Sequence, residues 1–248
     1  MPALKLPPEA VPERGGALAE TMKPPVRRLC ISTQQSALAV KAFTLFVDGN
    51  DDEGCEYTFR ETDEVGVVDD VRENRSEIGI IYLNQQDEVL FDRAIGRFGL
   101  EWHVLCEVVP CVMFHKTHPL ASRSRVSAGE LAAYPYIHVE KWDYLQIFDD
   151  VFHNCDVNRI IRVTDCGSVG SLFAGIHAFS ITLDSSAGAL QEEAVFVPLD
   201  VEIIYKIGAV TYERMEMSLA GQEFLDSLKS LAGIVHPDVS NQDCVRKS

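Results

Sequence analysis

The stretch Pro110–Ile137, PCVMFHKTHPLASRSRVSAGELAAYPYI, decides how the chain is organised. It opens on an apolar run with β character, Cys111 to Phe114, and reaches His118-Pro119-Leu120. The helix-forming SAGELAAY and a second short run at Tyr136-Ile137 follow. Two histidines three residues apart raise the question of a metal pair. They would share a face only if the segment were helical. Pro119 and the β-rich run before it make the segment a strand and a turn instead, so no metal site is expected. What remains is a strand–turn–helix–strand unit, the kind from which parallel and mixed α/β sheets are built.

The same alternation runs outward in both directions. RRLCIST reads as a strand ending at Ser32-Thr33. It passes into QQSALAVKAFTLFV, where Leu38, Ala42 and Leu45 with Ala39, Phe43 and Phe46 mark one helical face. YTFRET is a second strand, and Thr62 is expected to cap the helix in DEVGVVDDVREN, which carries acids in its first turn. SEIGIIYL is nearly all apolar, as a strand covered on both faces would be. A helix through Leu90, Ala94 and Phe98 follows.

Beyond the central unit, YIHVE is a strand, YLQIFDDVF a helix, RIIRVTD a strand, GSVGSLFAGIH a helix and FSITLD a strand. AVFVPL and EIIYKIGAVTY add two further strands before the final helix, SLAGQEFLDSLKSLAG. Two α/β units in tandem are expected. Residues 1–26, with six prolines and a Gly15-Gly16 pair, read as an irregular arm, and the polar residues 235–248 read as a tail.

Composition narrows the function. The formal net charge is −16 with no long run of Lys or Arg, so this polypeptide is not expected to hold a nucleic-acid backbone itself. Seven scattered cysteines without a C-x-x-C pair fit reduced thiols. With no signal-like or membrane-length apolar run, they point to a cytoplasmic protein. No G-x-S-x-G elbow, H-E-x-x-H, phosphate-binding loop or dinucleotide turn is present. No catalytic residue, cofactor or metal is therefore expected.

Binding is better supported. Ligands of open α/β sheets sit beyond the carboxyl ends of the strands. Three such ends carry small polar residues: Ser32-Thr33, Thr62, and Cys166-Gly167-Ser168. Any one of them alone reads as an ordinary helix cap; together they suggest a pocket.

LCISTQQSALAVKAFTLFV, YTFRETDEVGVVDDVRENRSEIGIIYL, PCVMFHKTHPLA followed by LAAYPYI, and SLFAGIHAFSITL stand in an order that resembles the effector-binding domain of LysR-type transcriptional regulators, over roughly residues 27–234. The resemblance implies an α/β fold of two Rossmann-like lobes with mixed sheets, similar to type 2 periplasmic binding proteins. The first lobe would span residues 27–107, completed by 207–234, and the second 108–206. His118-Pro119-Leu120 then becomes a turn entering the second lobe.

By the same resemblance, Ser32, Thr33, Thr62, Tyr82, Leu83, Cys166, Gly167 and Ser168 would line an effector site between the lobes. A homodimer or higher oligomer would transmit the signal. Residues 1–26 could not form the helix-turn-helix that precedes this domain in the family, so DNA would be reached only through parts outside this chain. A cytoplasmic solute-binding protein of the same fold is the alternative. A redox switch through Cys155 and Cys166 is a third possibility, but their spacing does not match the family's cysteine pair, and inert thiols are the simpler expectation.

Overall fold

The computed structural model describes residues 27–50, 54–139, 145–152, 157, 159–164, 169–183 and 193–235. Their strands form two five-stranded sheets.

In the first sheet, β1 (Arg27–Thr33) lies between β2 (Cys55–Glu61) and β3 (Ile78–Asn84), parallel to both. β4 (Leu100–Val108) forms the far edge. The second sheet begins with β5 (Cys111–His115) and continues with β6 (Tyr136–Val139), β7 (Ile160–Val163), β8 (Phe179–Thr182) and β9 (Ala194–Pro198), in the order β7-β6-β8-β5-β9. The chain then returns to the first sheet as β10 (Tyr205–Tyr212), antiparallel to β3 and β4. Both sheets are mixed: β6 runs parallel to β7 and β8, whereas β5 runs antiparallel to β8 and β9.

The helices α1 (Ala37–Asp48), α2 (Glu64–Arg72), α3 (Glu88–Gly96) and α7 (Leu219–Val235) belong to the first unit, and α4 (Ala128–Leu131), α5 (Leu145–Phe152) and α6 (Val169–Ile176) to the second.

The period-two alternation of β3 sorts the first sheet's two faces. Ile78, Ile80 and Tyr82 join the core with Leu38, Ala42 and Phe46 of α1 and Phe224 and Leu228 of α7. Ile81 and Leu83 pack with Val67 and Val71 of α2, Phe91 and Ile95 of α3, and Val210. Every residue from Ile78 to Leu83 is buried, which explains the nearly unbroken apolar run. α2 sits so close to β3 that a Cβ on Gly79 would come within 2.6 Å of Val67 Cγ1.

Three local expectations change. The cap of α2 is Asp63, whose carboxylate accepts from the Gly66 amide at 2.7 Å, not Thr62. A carboxylate at that point also meets the helix's positive end, which a hydroxyl does less well. In α1, Leu45 is half exposed although it falls within the apolar pattern; the buried stripe is Leu38, Ala39, Ala42 and Phe46. The edge strand β4 was absent from the expected order. Its exposed His103 and Val104 and the register shift opposite Ile207/Gly208 break the alternation that marks a strand.

His118 anchors the turn that enters the second unit. Its ring stacks on Phe114 with centroids 4.2 Å apart and leans on Tyr134 at 4.5 Å. The Leu120 amide donates to Nδ1 at 3.1 Å, which leaves Nε2–H to donate to the His177 carbonyl at 3.0 Å. Both nitrogens serve the backbone, so this histidine is a structural strut. Burial, with His177 nearby, lowers its pKa to about 4.

Candidate functional site

The carboxyl ends of β1, β2 and β3 and the amino end of β10 share one edge of the first sheet, because β10 runs antiparallel with Tyr205 opposite Asn84. The Thr62 amide donates to the Thr33 carbonyl at 3.0 Å, tying the ends of β1 and β2 together. The Gln34 amide donates to the Ile80 carbonyl, while the Gln34 side chain accepts from the Tyr82 amide at 2.7 Å. Ser36 caps α1 by accepting from the Ala39 amide at 2.9 Å, and its hydroxyl also pairs with that of Tyr82 at 2.6 Å. The amino end of a twelve-residue helix, a tyrosine and a glutamine are thus locked together at this edge.

The line continues to the second unit. Asn84 lies two residues beyond Tyr82, on the same face. Asn84 Nδ2 donates to Asp150 of α5 at 3.1 Å, and the Tyr205 hydroxyl donates to the same carboxylate oxygen at 2.9 Å. Burial, together with this carboxylate, raises the Tyr205 pKa and keeps the hydroxyl a donor. The strand β4, paired with Tyr205 at Val108, leads through Val109 and Pro110 into β5. This bridge therefore stands beside a passage of the chain between the sheets.

The residues singled out from sequence divide. Thr33, Thr62 and Tyr82 come together at the edge. Thr33 is fully buried and its hydroxyl donates to the Gln34 carbonyl at 2.7 Å, while Thr62 is half-buried. Ser32 and Leu83 lie on the sheet's other face. Leu83 belongs to the apolar cluster beneath α2 and α3. Ser32 donates to Asp70 at 2.6 Å and pairs with Ser76 at 2.7 Å.

Around Asp70, Arg60 Nε approaches at 2.7 Å and Arg75 Nε at 2.5 Å. Burial alone would raise this carboxyl's pKa, but the bonds from Ser32, Arg75 and Arg60 outweigh it and hold it low. Cys166, Gly167 and Ser168 lie outside the described residues, as does Cys155. Gln34, Ser36, Asn84, Asp150 and Tyr205 were not singled out. Asn84 alone had a readable signal, as the next same-face residue after Tyr82.

Among the described residues no group of three or more His, Cys, Asp or Glu side chains is placed to hold a metal ion. A small groove, lined in part by Glu77, Tyr212, Met215 and Met217, sits at the opposite edge of the first sheet, where β3 begins and β10 ends.

The family model for the LysR substrate binding domain matches residues 51–233, most of the chain. The chain belongs to the LysR substrate-binding domain family. Solved LysR structures share its fold. One is the PA01 protein of Pseudomonas aeruginosa, assigned to the LysR family of transcriptional regulators. It is 15% identical with a TM-score of 0.62, over 84% of this chain and 72% of that one. The BenM effector-binding domain with its effector benzoate is 16% identical with a TM-score of 0.60, covering 85% and 94% of the two chains. The regulatory domain of CcmR from Synechocystis PCC6803, in complex with 2-PG, is 17% identical with a TM-score of 0.58, over 85% and 98%.

At these identities the LysR likeness establishes the two-lobe, periplasmic-binding-protein-like fold. No curated protein matches the chain in sequence. Domains of the LysR substrate-binding family are regulatory and bind ligands, and no described helix of this member is long and apolar enough to cross a membrane.

Proposed function

We propose that this chain senses a small-molecule effector held between two lobes, one built on the first sheet (β1–β4 with β10) and one on the second (β5–β9), and passes the signal on through contacts between copies. The observation that carries the reading is the first sheet's carboxyl edge. There Thr33, Thr62 and Tyr82 converge at the start of α1, and Asp150 bridges the same edge to the second sheet. The amino end of α1 supplies backbone donors, and Cys166-Gly167-Ser168 would face them from the start of α6. BenM and CcmR, which share the fold, are each solved with a small molecule bound.

Asp63, Glu64 and Asp150 around this edge disfavour a multiply anionic ligand. The chain's charge of −16 leaves DNA contact to parts other than this domain. Val40, Leu45 and Val47 expose apolar surface on α1, and β2 and β7 each end a sheet. Both features suit a homodimer or higher oligomer in a cytoplasmic regulator.

A thermal-shift screen against organic acids, amino acids, aromatics and nucleotides tests the reading. A ligand at a hundred times its Kd stabilises the chain by about 2.7 kcal/mol. The shift is expected to vanish in Thr62→Val and Ser168→Val. A hit that survives both substitutions would remove the ligand from this edge. Closure without any change in oligomeric state would favour a plain solute-binding protein.

A further inference from the structure

We propose that Asp150 is a tie that restrains the opening of the two lobes, with Tyr205 and Asn84 as its anchors on the first lobe. The inference rests on reading the two sheets as lobes that move about the crossing strands. Asp150 is on α5, where Phe148 stacks on Tyr136 of β6 at 4.4 Å and Phe152 packs on Phe179 of β8 at 5.9 Å, so its backbone is held by the second lobe. Its carboxylate accepts from Tyr205 at 2.9 Å and from Asn84 at 3.1 Å, both on adjacent strands of the first sheet. Tyr205 is only 3% exposed, which confines its hydroxyl to this direction.

Asn84 is held from its other end, where Oδ1 accepts from the Gln86 amide at 3.0 Å. Donors fixed on one lobe and an acceptor fixed on the other make a bond that opening must break. The carboxylate makes it stronger than a bond between neutral partners. The tie also stands next to the edge where Ser36 and Tyr82 meet, so a ligand seated there and the tie act on the same gap. A two-state equilibrium biased by such a bond shifts when the bond is removed.

The test reads lobe separation directly in the full chain. A donor–acceptor dye pair is placed on non-natural residues at the exposed positions Lys41 and Arg123, which spares the seven cysteines. Asp150→Ala and Tyr205→Phe are each expected to lengthen and broaden the measured distance distribution. The double variant is expected to go no further than Asp150→Ala, because losing the carboxylate already removes the bond that Tyr205→Phe removes. Tyr205→Phe keeps the buried ring and carries the test if Asp150→Ala does not fold.

An unchanged distance in folded Tyr205→Phe, or lengthening that adds up in the double variant, overturns the tie. The experiment uses no ligand, so its failure and the failure of effector binding are separate results. A confirmed hit with unmoved distances leaves the sensing role standing without the tie.

Discussion

At the scale of single residues, His118 shows how a histidine that looks chemical in a sequence can be structural. Its Nδ1 is already taken by the Leu120 amide, so a second ring proton would lose that acceptor and place a charge between Phe114 and Tyr134. Its pKa is lowered to about 4 in the fold, against about 6.5 unfolded. The stability it contributes is present above pH 6.5 and drains away as pH falls towards 4. Between pH 7.5 and 5 that loss is about 2 kcal/mol. Urea unfolding at the two pH values should show this component in the native sequence and lack it in His118→Phe. Equal pH dependence in both would contradict the role.

Asp70 carries a different residue-scale weight, as the carboxylate that accepts from Ser32, Arg60 and Arg75, the last of which also pairs with Glu73. Asp70→Ala is expected to cost about 2–3 kcal/mol, and Asp70→Asn less. The two arginines are partly exposed, so most of the loss comes from the buried serine side. A change within about 0.5 kcal/mol in chemical denaturation would mean that the network is dispensable.

At the scale of elements, a tight fit between strands joins Trp102 of β4 and Gly208 of β10. A Cβ on Gly208 would fall on the indole ring, at the point where the strand register shifts. Gly208→Ala therefore has to displace Trp102 from its packing against Phe91. A destabilisation of about 1–3 kcal/mol is expected, with an altered tryptophan emission in the folded state. An unchanged melting temperature would show that β4 gives way freely.

This pair also shows what the sequence could and could not convey. Strands buried on both faces, such as β3, were legible because the run from Ile78 to Leu83 holds no charged or strongly polar side chain. The edge strand β4 was not, since one side is open and its bulge breaks the period. The likeness of Asp63 and Thr62 as capping residues hid which of them the helix would use. Ser32 and Thr33 looked equivalent at a strand end, but adjacent residues of a strand face opposite ways. The partners of Asn84 and Tyr205 depend on β10 returning antiparallel from the second sheet, which no local pattern announces.

At the scale of the whole molecule, a sheet pair joined by crossing strands makes ligand binding and assembly two readings of one geometry. If copies meet through α1, Leu45→Glu should place a charge in the interface and move the chain towards monomer. Light scattering across micromolar concentrations would show that shift, and identical masses for both proteins would exclude Leu45 from any interface.

The central claim is that the effector sits between the lobes. Amide hydrogen exchange, with and without the tightest metabolite from the screen, tests it most directly. Protection is expected at Thr33 to Ser36, at Asn84 to Gln86 and at residues 166–168 together, because one ligand would then touch both lobes. Protection restricted to one sheet, or to the groove around Tyr212 and Met215, would contradict it.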